Sequence, residues 1–292
     1  HAEEIRFALI GEPPQVNVWE LYDDSGSTYA NRALLGGLHP RLYGLSPLDL
    51  SFQPLAADGF PSEVVQDGEG YSATVKIREG LKWTDGSSFT AEDAAFTANT
   101  VLAFEFGYDW GAFYPNEYLL RAEALDPLTA KFIFKKKPNM GVWQYGILQA
   151  PIVQKAFWED AARDASLLLP GDDLRSKIAS MRARLDSLRI SLDLLSDRLS
   201  SLRMEGVRDQ RLESDFTKTQ SEVLSVQAAL QNLLDDYDAY ARQAQKALHE
   251  KTDEGEPSLG VWLPYKEGED LRVYKANPEF PFGAPNFNRV HT

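Results

Sequence analysis

A heptad pattern of apolar residues runs from about residue 173 to residue 249 and constrains the fold more than any other feature of the sequence. Within it glycine occurs once, at Gly206, and proline does not occur. On both sides of that glycine, apolar residues recur at alternating steps of four and three, as at the a and d positions of a coiled coil. Thr219, Tyr240 and Ala244 keep the same spacing in the second run. The predicted seam is formed by Leu174, Ile178, Met181, Leu185, Leu188, Leu192, Leu195, Leu199, Leu202, Leu212, Phe216, Val223, Val226, Leu230, Leu233 and Tyr237.

The two heptad runs predict an antiparallel coiled-coil hairpin. Gly206 suits a reversal of the chain, and each helix would extend roughly 45 to 55 Å at about 1.5 Å per residue. The first run is rich in arginine and the second in aspartate and glutamate, so charge favours their pairing, although exposed pairs contribute little. Two roles stay open: a strut closed on itself, or an arm for docking or dimerisation. Ile190 and Leu194 lie off the seam and hint at a second contact.

The composition of the whole chain limits the class of protein to which it can belong. The 292 residues, 43% of them hydrophobic, provide for about two domains at ~150 residues each. The formal net charge of -14 argues against nucleic acid and anionic membrane surfaces as partners. The absence of cysteine excludes disulfides, thiol catalysis and thiolate metal ligands. No window reaches the ~20 apolar residues of a membrane span, and the first residues predict a chain without a signal sequence.

Residues 71–102 predict a strand, a turn and a helix with structural roles. In GYSATVKI, polar and apolar side chains alternate as in a strand with one buried face. The Asp-Gly pair at 85–86 predicts a turn, and Thr90 predicts a helix N-cap, with Asp93 at the spacing of a capping box. Glu92 and Asp93 are a poor acid-base pair, because adjacent helix positions point about 100° apart.

These residues resemble a signature of family 5 extracellular solute-binding proteins, the oligopeptide, dipeptide and nickel receptors of ABC importers. REGLKWTDGSSFTAEDAAF follows the family pattern R-x-G-[VLA]-K-[FW]-x-D-G-x-[PS]-[FLV]-T-A-x-D-V-x-[FY]. Further segments resemble the family, including EEIRFALIGEPPQVNVW, LLGGLHPRLYGLSP, EALDPLTAKFIFKKKPN, APIVQKAFWED and PSLGVWLPYKEGEDLRVYKANPEF. The resemblance extends over nearly everything except about residues 165–255. The matching signature residues are Arg78, Gly80, Leu81, Lys82, Trp83, Asp85, Gly86, Phe89, Thr90, Ala91, Asp93 and Phe96.

The resemblance implies a mixed α/β fold, the N-terminal lobe of a type II periplasmic-binding-protein-like fold, interrupted by the helical hairpin. Residues 1–45 would begin lobe I, 46–160 would form its small α/β subdomain, 173–249 the hairpin and 257–290 the return strands. Family members continue into a second lobe, so we expect an N-terminal fragment of a longer receptor; a natural short protein is the alternative.

The resemblance also implies which residues face a ligand. In the family, the segment after the first strand and the loops of the small subdomain line one side of the ligand cleft. The aromatic candidates could equally be core residues, and the aspartates could belong to a solvated turn. The candidate ligand-binding residues are Glu12, Asn17, Asp23, Asp24, Tyr29, Trp110 and Tyr114.

The sequence contains no motif that is typical of an enzyme beside these candidate ligand-binding residues. The four histidines have no partner at metal-ligand spacing, and the sequence contains no H-E-x-x-H, G-x-S-x-G, Walker A or Rossmann motif. We therefore expect no catalysis, cofactor or metal.

The expected function is solute binding, with a peptide as the solute and an ABC importer permease as the partner of the full-length protein. The resemblance implies a location outside the cytoplasm, periplasmic or at the cell surface, with a membrane tether in the full-length form. The alternative is an interaction module whose coiled coil mediates self-association or docking.

Overall fold

The chain forms two compact units, and a computed structural model describes most of both. The first unit, here called the body, comprises residues 1–166 and 245–292, and the second, the hairpin unit, comprises residues 167–244. Strands near the two ends of the chain are described by their backbone alone. The described residues are 4–6, 17–23, 37–46, 48–260, 262–267, 272–277 and 289–291.

The described part of the body combines short strands with short and medium helices. Its sheets have the strand orders β4-β5-β7-β6, β1-β10-β9-β8 and β2-β3, and β1 pairs with β10 in parallel. In chain order the elements are β1 (Glu4–Arg6), α1 (Val18–Leu21), β2 (Tyr43–Leu45), β3 (Phe52–Pro54), β4 (Val65–Asp67), β5 (Gly70–Lys76), α2 (Ala91–Phe104), α3 (Tyr108–Phe113), β6 (Leu119–Asp126), β7 (Thr129–Phe134), α4 (Met140–Trp143), a 3-10 turn (Ile147–Gln149), α5 (Lys155–Ser166), β8 (Trp262–Glu267), β9 (Arg272–Ala276) and β10 (Arg289–His291).

The antiparallel sheet of β4 to β7 carries much of the described core. The alternation predicted for β5 is present, since Ala73, Val75 and the following Ile77 are buried. Ser72, on the other face, is also buried. Helix α2 packs against β6 and β7. The side chain of Asn99 both donates to the carbonyl of Ala122 at 2.8 Å and accepts from its N–H at 2.9 Å, which fixes the helix on the strand.

Asp93 joins three elements of the body. Its carboxylate accepts hydrogen bonds from the backbone N–H of Thr90 at 2.9 Å, the backbone N–H of Lys155 at 2.9 Å and the indole N–H of Trp83 at 3.3 Å. Burial raises the pKa of Asp93, and these three donors oppose that shift. The predicted start of α2 is therefore present, and Gly86 turns the chain before it with φ 86°. Structural contacts account for the polar side chain of Asp93.

The hairpin unit is built from two long helices, and the second of them continues into the body. Helix α6 spans Asp172–Met204 and helix α7 spans Gln210–His249, with Gly206 at φ 74° between them. The pair Arg184–Glu222, at 2.6 Å, links the two helices in antiparallel register. Leu199 of the seam is buried. The largest cluster of the seam has the buried side chains Ile178, Leu185, Val223, Val226 and Leu230, and those packed around them are Leu174, Met181, Leu188, Leu192, Leu233, Leu234 and Tyr237.

The heptad position of Tyr240 does not join this cluster. Tyr240 is 50% exposed, although its spacing places it on the seam. The register set by Arg184 and Glu222 carries position 240 past the start of α6 at Asp172. The facing helix has ended there, so the seam cannot bury this ring. The expectation for Tyr240 was therefore wrong.

Candidate functional site

An aromatic cluster surrounds α1, where the resemblance places one side of a ligand cleft. Trp19 is fully buried and stacks on Phe106 at 5.7 Å, with Trp110 at 5.4 Å and Trp158 edge-on at 5.8 Å between ring centroids. The indole N–H of Trp110 donates to the carbonyl of Trp19 at 3.1 Å. These contacts fix α1 against α3 and α5.

Trp110 and Tyr114, two of the candidate ligand residues, lie in this cluster one helical turn apart. Their rings stack at 6.4 Å between centroids, and they are 0% and 2% exposed. Burial raises the pKa of the Tyr114 phenol well above its ordinary value. Trp110 is enclosed as a core residue, whereas Tyr114 lines a cleft described below. A ligand contact by either residue stays a prediction.

Asn17 has its polar atoms occupied by the fold. Its Oδ1 accepts the N–H groups of Trp19 at 3.0 Å and Glu20 at 3.2 Å, which caps the start of α1. Its Nδ2 donates to the carbonyls of Leu248 at 2.8 Å, His249 at 3.0 Å and Lys251 at 2.9 Å. One side chain therefore caps the first turn of α1 and the last turn of α7, and a ligand contact by Asn17 stays a prediction.

Asp23 follows α1 and faces the last turn of α7. Its Oδ2 lies 3.7 Å from Nε2 of His249, and both side chains are mostly buried. The ring of His249 stacks on Phe106 with centroids 5.5 Å apart. Burial lowers the pKa of His249, and the negative charge of Asp23 opposes that shift. A carboxylate can attract a cation, and a ligand contact by Asp23 stays a prediction.

The candidates Glu12, Asp24 and Tyr29 lie outside the described residues. Of the four that are described, α1 brings three together. Asn17 begins the helix, Asp23 follows it, and the backbone N–H of Trp110 donates to the carbonyl of Tyr22 at 3.2 Å. Tyr114 lies one turn beyond Trp110.

A cleft of about 370 Å³ opens where α2 ends. This volume is near the lower end of the range for small-molecule sites. The backbone at its edge is unusual, since Glu105 and Tyr108 have φ values of 52° and 49°, in the left-handed region that non-glycine residues seldom adopt. The cleft is lined by Val101, Leu102, Glu105, Phe106, Gly111, Tyr114, Pro115, Asn116 and Glu117.

The sequence analysis missed the residues that bind the end of α7 to the body. Gln245 donates to the carbonyls of Phe104 at 2.8 Å and Glu105 at 3.4 Å, and so covers the exposed carbonyl end of α2. His249 was noted there only as a histidine without a metal-ligand partner. A basic or amide residue in a last helical turn is a weak signal for a cap, and nothing local indicates which element it meets.

Within the described residues, no group of three or more histidine, aspartate or glutamate side chains could hold a metal ion. Among the same residues, no helix has the length and apolar character needed to cross a membrane.

One segment of the body matches a family of bacterial extracellular solute-binding proteins. Residues 52–168 match the family model described as bacterial extracellular solute-binding proteins, family 5 Middle. This segment contains the strand, turn and helix on which the resemblance was based, so the resemblance is confirmed. The structural likeness reported next also confirms the predicted fold class, a mixed α/β lobe of the periplasmic-binding-protein type with an inserted antiparallel helical hairpin.

Similar proteins include oligopeptide receptors. The oligopeptide-binding protein OppA of Lactococcus lactis subsp. cremoris is 41% identical over 51 residues, which cover 18% of this chain and 8% of that protein. The structure of a periplasmic oligopeptide-binding protein from Thermotoga maritima, bound to mannohexaose, has a TM-score of 0.54 at 16% identity, covering 99% of this chain and 37% of that one. The oligopeptide-binding protein AppA from Bacillus subtilis, in complex with a nonapeptide, also has a TM-score of 0.54 at 16% identity, covering 99% and 40%. The chain thus spans well under half of these proteins.

Proposed function

We propose that this chain is part of the solute-binding component of an ABC-type importer and that its solute is a peptide. The observation that carries this proposal is the family match over residues 52–168, within a fold shared with binding proteins. The protein would act by binding and release, without catalysis. Its location would be outside the cytoplasm, and its partner the importer permease.

The ligand would lie against one side of the body. Because the chain spans 37% and 40% of the two solved structures, we propose that a further lobe of the whole protein closes over the ligand. Asp23 and Tyr114 are the described candidates that remain suited to ligand contact, and Glu12, Asp24 and Tyr29 stay proposals from the resemblance. Asn17 and Trp110 would act by positioning α1 and α3.

A thermal-shift experiment on the whole protein tests the peptide proposal. Peptides of two to nine residues and mannooligosaccharides of matched size form the two ligand sets, since the solved relatives hold a nonapeptide and mannohexaose respectively. A ligand at a hundredfold excess over its Kd stabilises the native state by about 2.7 kcal/mol. We expect the Tm to rise with peptides. A rise with the sugars alone would contradict the choice of solute, and no rise with either set would contradict the receptor function.

A second candidate function is self-association through the hairpin unit. Ile190 and Leu194 are 63% and 66% exposed and lie four residues apart on one face of α6. In an antiparallel pairing of two α6 helices, Ile190 of each copy would meet Leu194 of the other. Arg189 and Asp193 directly precede Ile190 and Leu194 and carry opposite charges, which suits a symmetric contact. We propose a second copy of the chain as the occupant.

The oligomeric state tests this candidate. Light scattering over a concentration series should show a dimer, and the double variant Ile190→Ser with Leu194→Ser should return it to a monomer with unchanged helicity by circular dichroism. Leu224→Ser is the matched control, because Leu224 is 63% exposed on the other helix. A monomer at all concentrations, or a dimer that persists in the double variant, would contradict the proposal.

A further inference from the structure

Arg41, two residues before β2, is a half-buried cation whose described contacts are with uncharged groups. Its Nη1 donates to the carbonyl of Gln149 at 2.5 Å, and its guanidinium carbon lies 5.7 Å from the centroid of the Phe113 ring. Within the described part of the chain, no aspartate or glutamate forms an ion pair with Arg41. The chain has 44 acidic residues against 30 lysines and arginines, so this arginine lacks a carboxylate although carboxylates are plentiful.

The guanidinium of Arg41 keeps hydrogen-bonding capacity that these contacts do not use. It has five N–H donors, and the carbonyl of Gln149 accepts from one nitrogen. The contact with Phe113 is made by the face of a ring, which attracts the charge without neutralising it. Moving a charge out of water without an opposite charge costs free energy. A carboxylate would supply that opposite charge, and its two oxygens match two parallel N–H donors of a guanidinium.

Arg41 borders the aromatic cluster that surrounds α1. Phe113 packs edge-on against Tyr22 with ring centroids 6.0 Å apart, and Tyr22 directly follows α1. Burial raises the pKa of the Tyr114 phenol, and the positive charge of Arg41 opposes that shift, so the guanidinium also lies near this ring. The cation is therefore placed beside the segment of the body against which the solute is proposed to lie.

The net charge of the chain, -14, repels anions at long range but does not prevent a contact at Arg41. At physiological salt, exposed charges more than about 8 Å apart are largely screened. A carboxylate bound to Arg41 would lie about 3 Å from the guanidinium nitrogens, and a half-buried position reduces screening there. The attraction at contact therefore exceeds the repulsion from distant acidic residues.

We propose that Arg41 binds a carboxylate group of the solute, with an adjoining apolar part of the solute against Phe113. This assignment rests on the proposed function, because it names a chemical group on the solute of the same receptor. The C-terminus of a peptide and an acidic side chain offer the same two oxygens. The assignment predicts a preference for solutes with a free carboxylate over their amides.

The first test uses benzoate as the anionic probe and benzamide as its neutral counterpart of equal size. The chain is labelled with nitrogen-15, and its amide signals are followed during titration. We expect saturable shifts at residues 41–43, 111–114 and 147–150 with benzoate, and binding of benzamide that is about tenfold weaker. Inorganic phosphate is the third probe. Binding of phosphate at these signals without binding of benzoate would overturn the assignment to a carboxylate.

Variants then separate charge from geometry. Arg41→Gln should weaken benzoate binding about tenfold and leave benzamide unchanged. Arg41→Lys should weaken benzoate about threefold, because it keeps the charge and loses the pair of parallel donors. Arg175→Gln, at an exposed arginine of α6, removes the same charge and is the control that should change nothing.

Three outcomes would overturn the assignment: equal affinity of the original chain for benzoate and benzamide, shifts confined to other residues, or unchanged benzoate binding in Arg41→Gln. The comparison of the two probes in the original chain needs no substitution, so it decides the assignment even if Arg41→Gln loses the contact with Gln149 and fails to fold.

Failure of this assignment can be told apart from failure of the receptor function. Peptides with a free C-terminus, their C-terminal amides, and versions with glutamine in place of glutamate are compared by the Tm of the whole protein. If all of them raise the Tm equally and benzoate does not bind, the receptor function stands and the carboxylate site is wrong. If benzoate binds at Arg41 and no peptide raises the Tm, the site exists and the peptide function is wrong.

Discussion

The body and the hairpin unit are stabilised by contacts of different range. In the hairpin unit, the buried residues recur every three or four positions along two helices, and the facing residues follow from one register. In the body, Asp93 binds Thr90 three residues away and Lys155 62 residues away. The first kind of region can lose one contact and keep its neighbours, whereas the second depends on several elements meeting at once. The two units should therefore respond differently to the same kind of substitution.

The largest effect is expected from a core substitution in the body. Phe132 is 1% exposed on β7 and packs edge-on against Trp143 with centroids 5.4 Å apart. Phe132→Ala should lower the free energy of unfolding of the body by about 3 to 5 kcal/mol, because it leaves a cavity between packed elements. Chemical denaturation followed by tryptophan fluorescence measures this change, since Trp143 lies in the body. Phe60→Ala, at a 70% exposed ring, is the control and should cost less than about 0.5 kcal/mol.

A smaller loss is expected in the hairpin unit. Leu185 is 5% exposed in the seam, and Leu185→Ala should cost about 2 kcal/mol, the lower end for such a change, because two helices can close part of the gap. Helicity followed by circular dichroism should show the loss, while tryptophan fluorescence of the body should be unchanged. Leu224→Ala, at an exposed leucine of α7, is the matched control. A shift of both signals by the same amount would show that the two units unfold together and would remove the contrast.

The sequence predicted local features well and long-range ones poorly. The heptads led to two helices and their seam, because each residue's environment follows from neighbours three and four positions away. The Thr90 and Asp93 spacing likewise predicted the start of α2. That Asp93 would also accept from Trp83 and Lys155 had no local signal. Asn17, 231 residues from Leu248, was predicted to face ligand, which stays a prediction; that its side chain would cap two helix ends had no signal in the sequence. The resemblance predicted that α1 lies beside a ligand cleft, but it did not indicate which side chains of α1 hold the fold together.

The cap at Asn17 gives the next prediction in size. Asn17→Ala removes the acceptor for the first turn of α1 and the donor for three carbonyls at the end of α7. We expect a loss of about 1 to 2 kcal/mol in the stability of the body. Asn116→Ala, at an exposed asparagine, serves as the control. Hydrogen exchange should rise at residues 18–21 and 246–251 in particular. Uniform exchange across the body would show that the loss is general and that Asn17 does not join these two segments.

The smallest effect expected is the pH dependence carried by His249. Burial lowers its pKa below the ordinary 6.5, and the negative charge of the nearby Asp23 opposes that shift. The unfolded chain therefore binds a proton here at a higher pH than the folded chain does, and stability should fall as the pH drops below about 6.5. The measurement compares free energies of unfolding at about pH 7.5 and about pH 5.5 for the original chain and for His249→Phe, which keeps a ring against Phe106. The contribution of His249 to the pH dependence of the free energy of unfolding should be absent in the variant. An equal slope in both proteins would show that the pKa of His249 is the same in the folded and the unfolded chain. That result would contradict the burial of the His249 side chain beside Asp23.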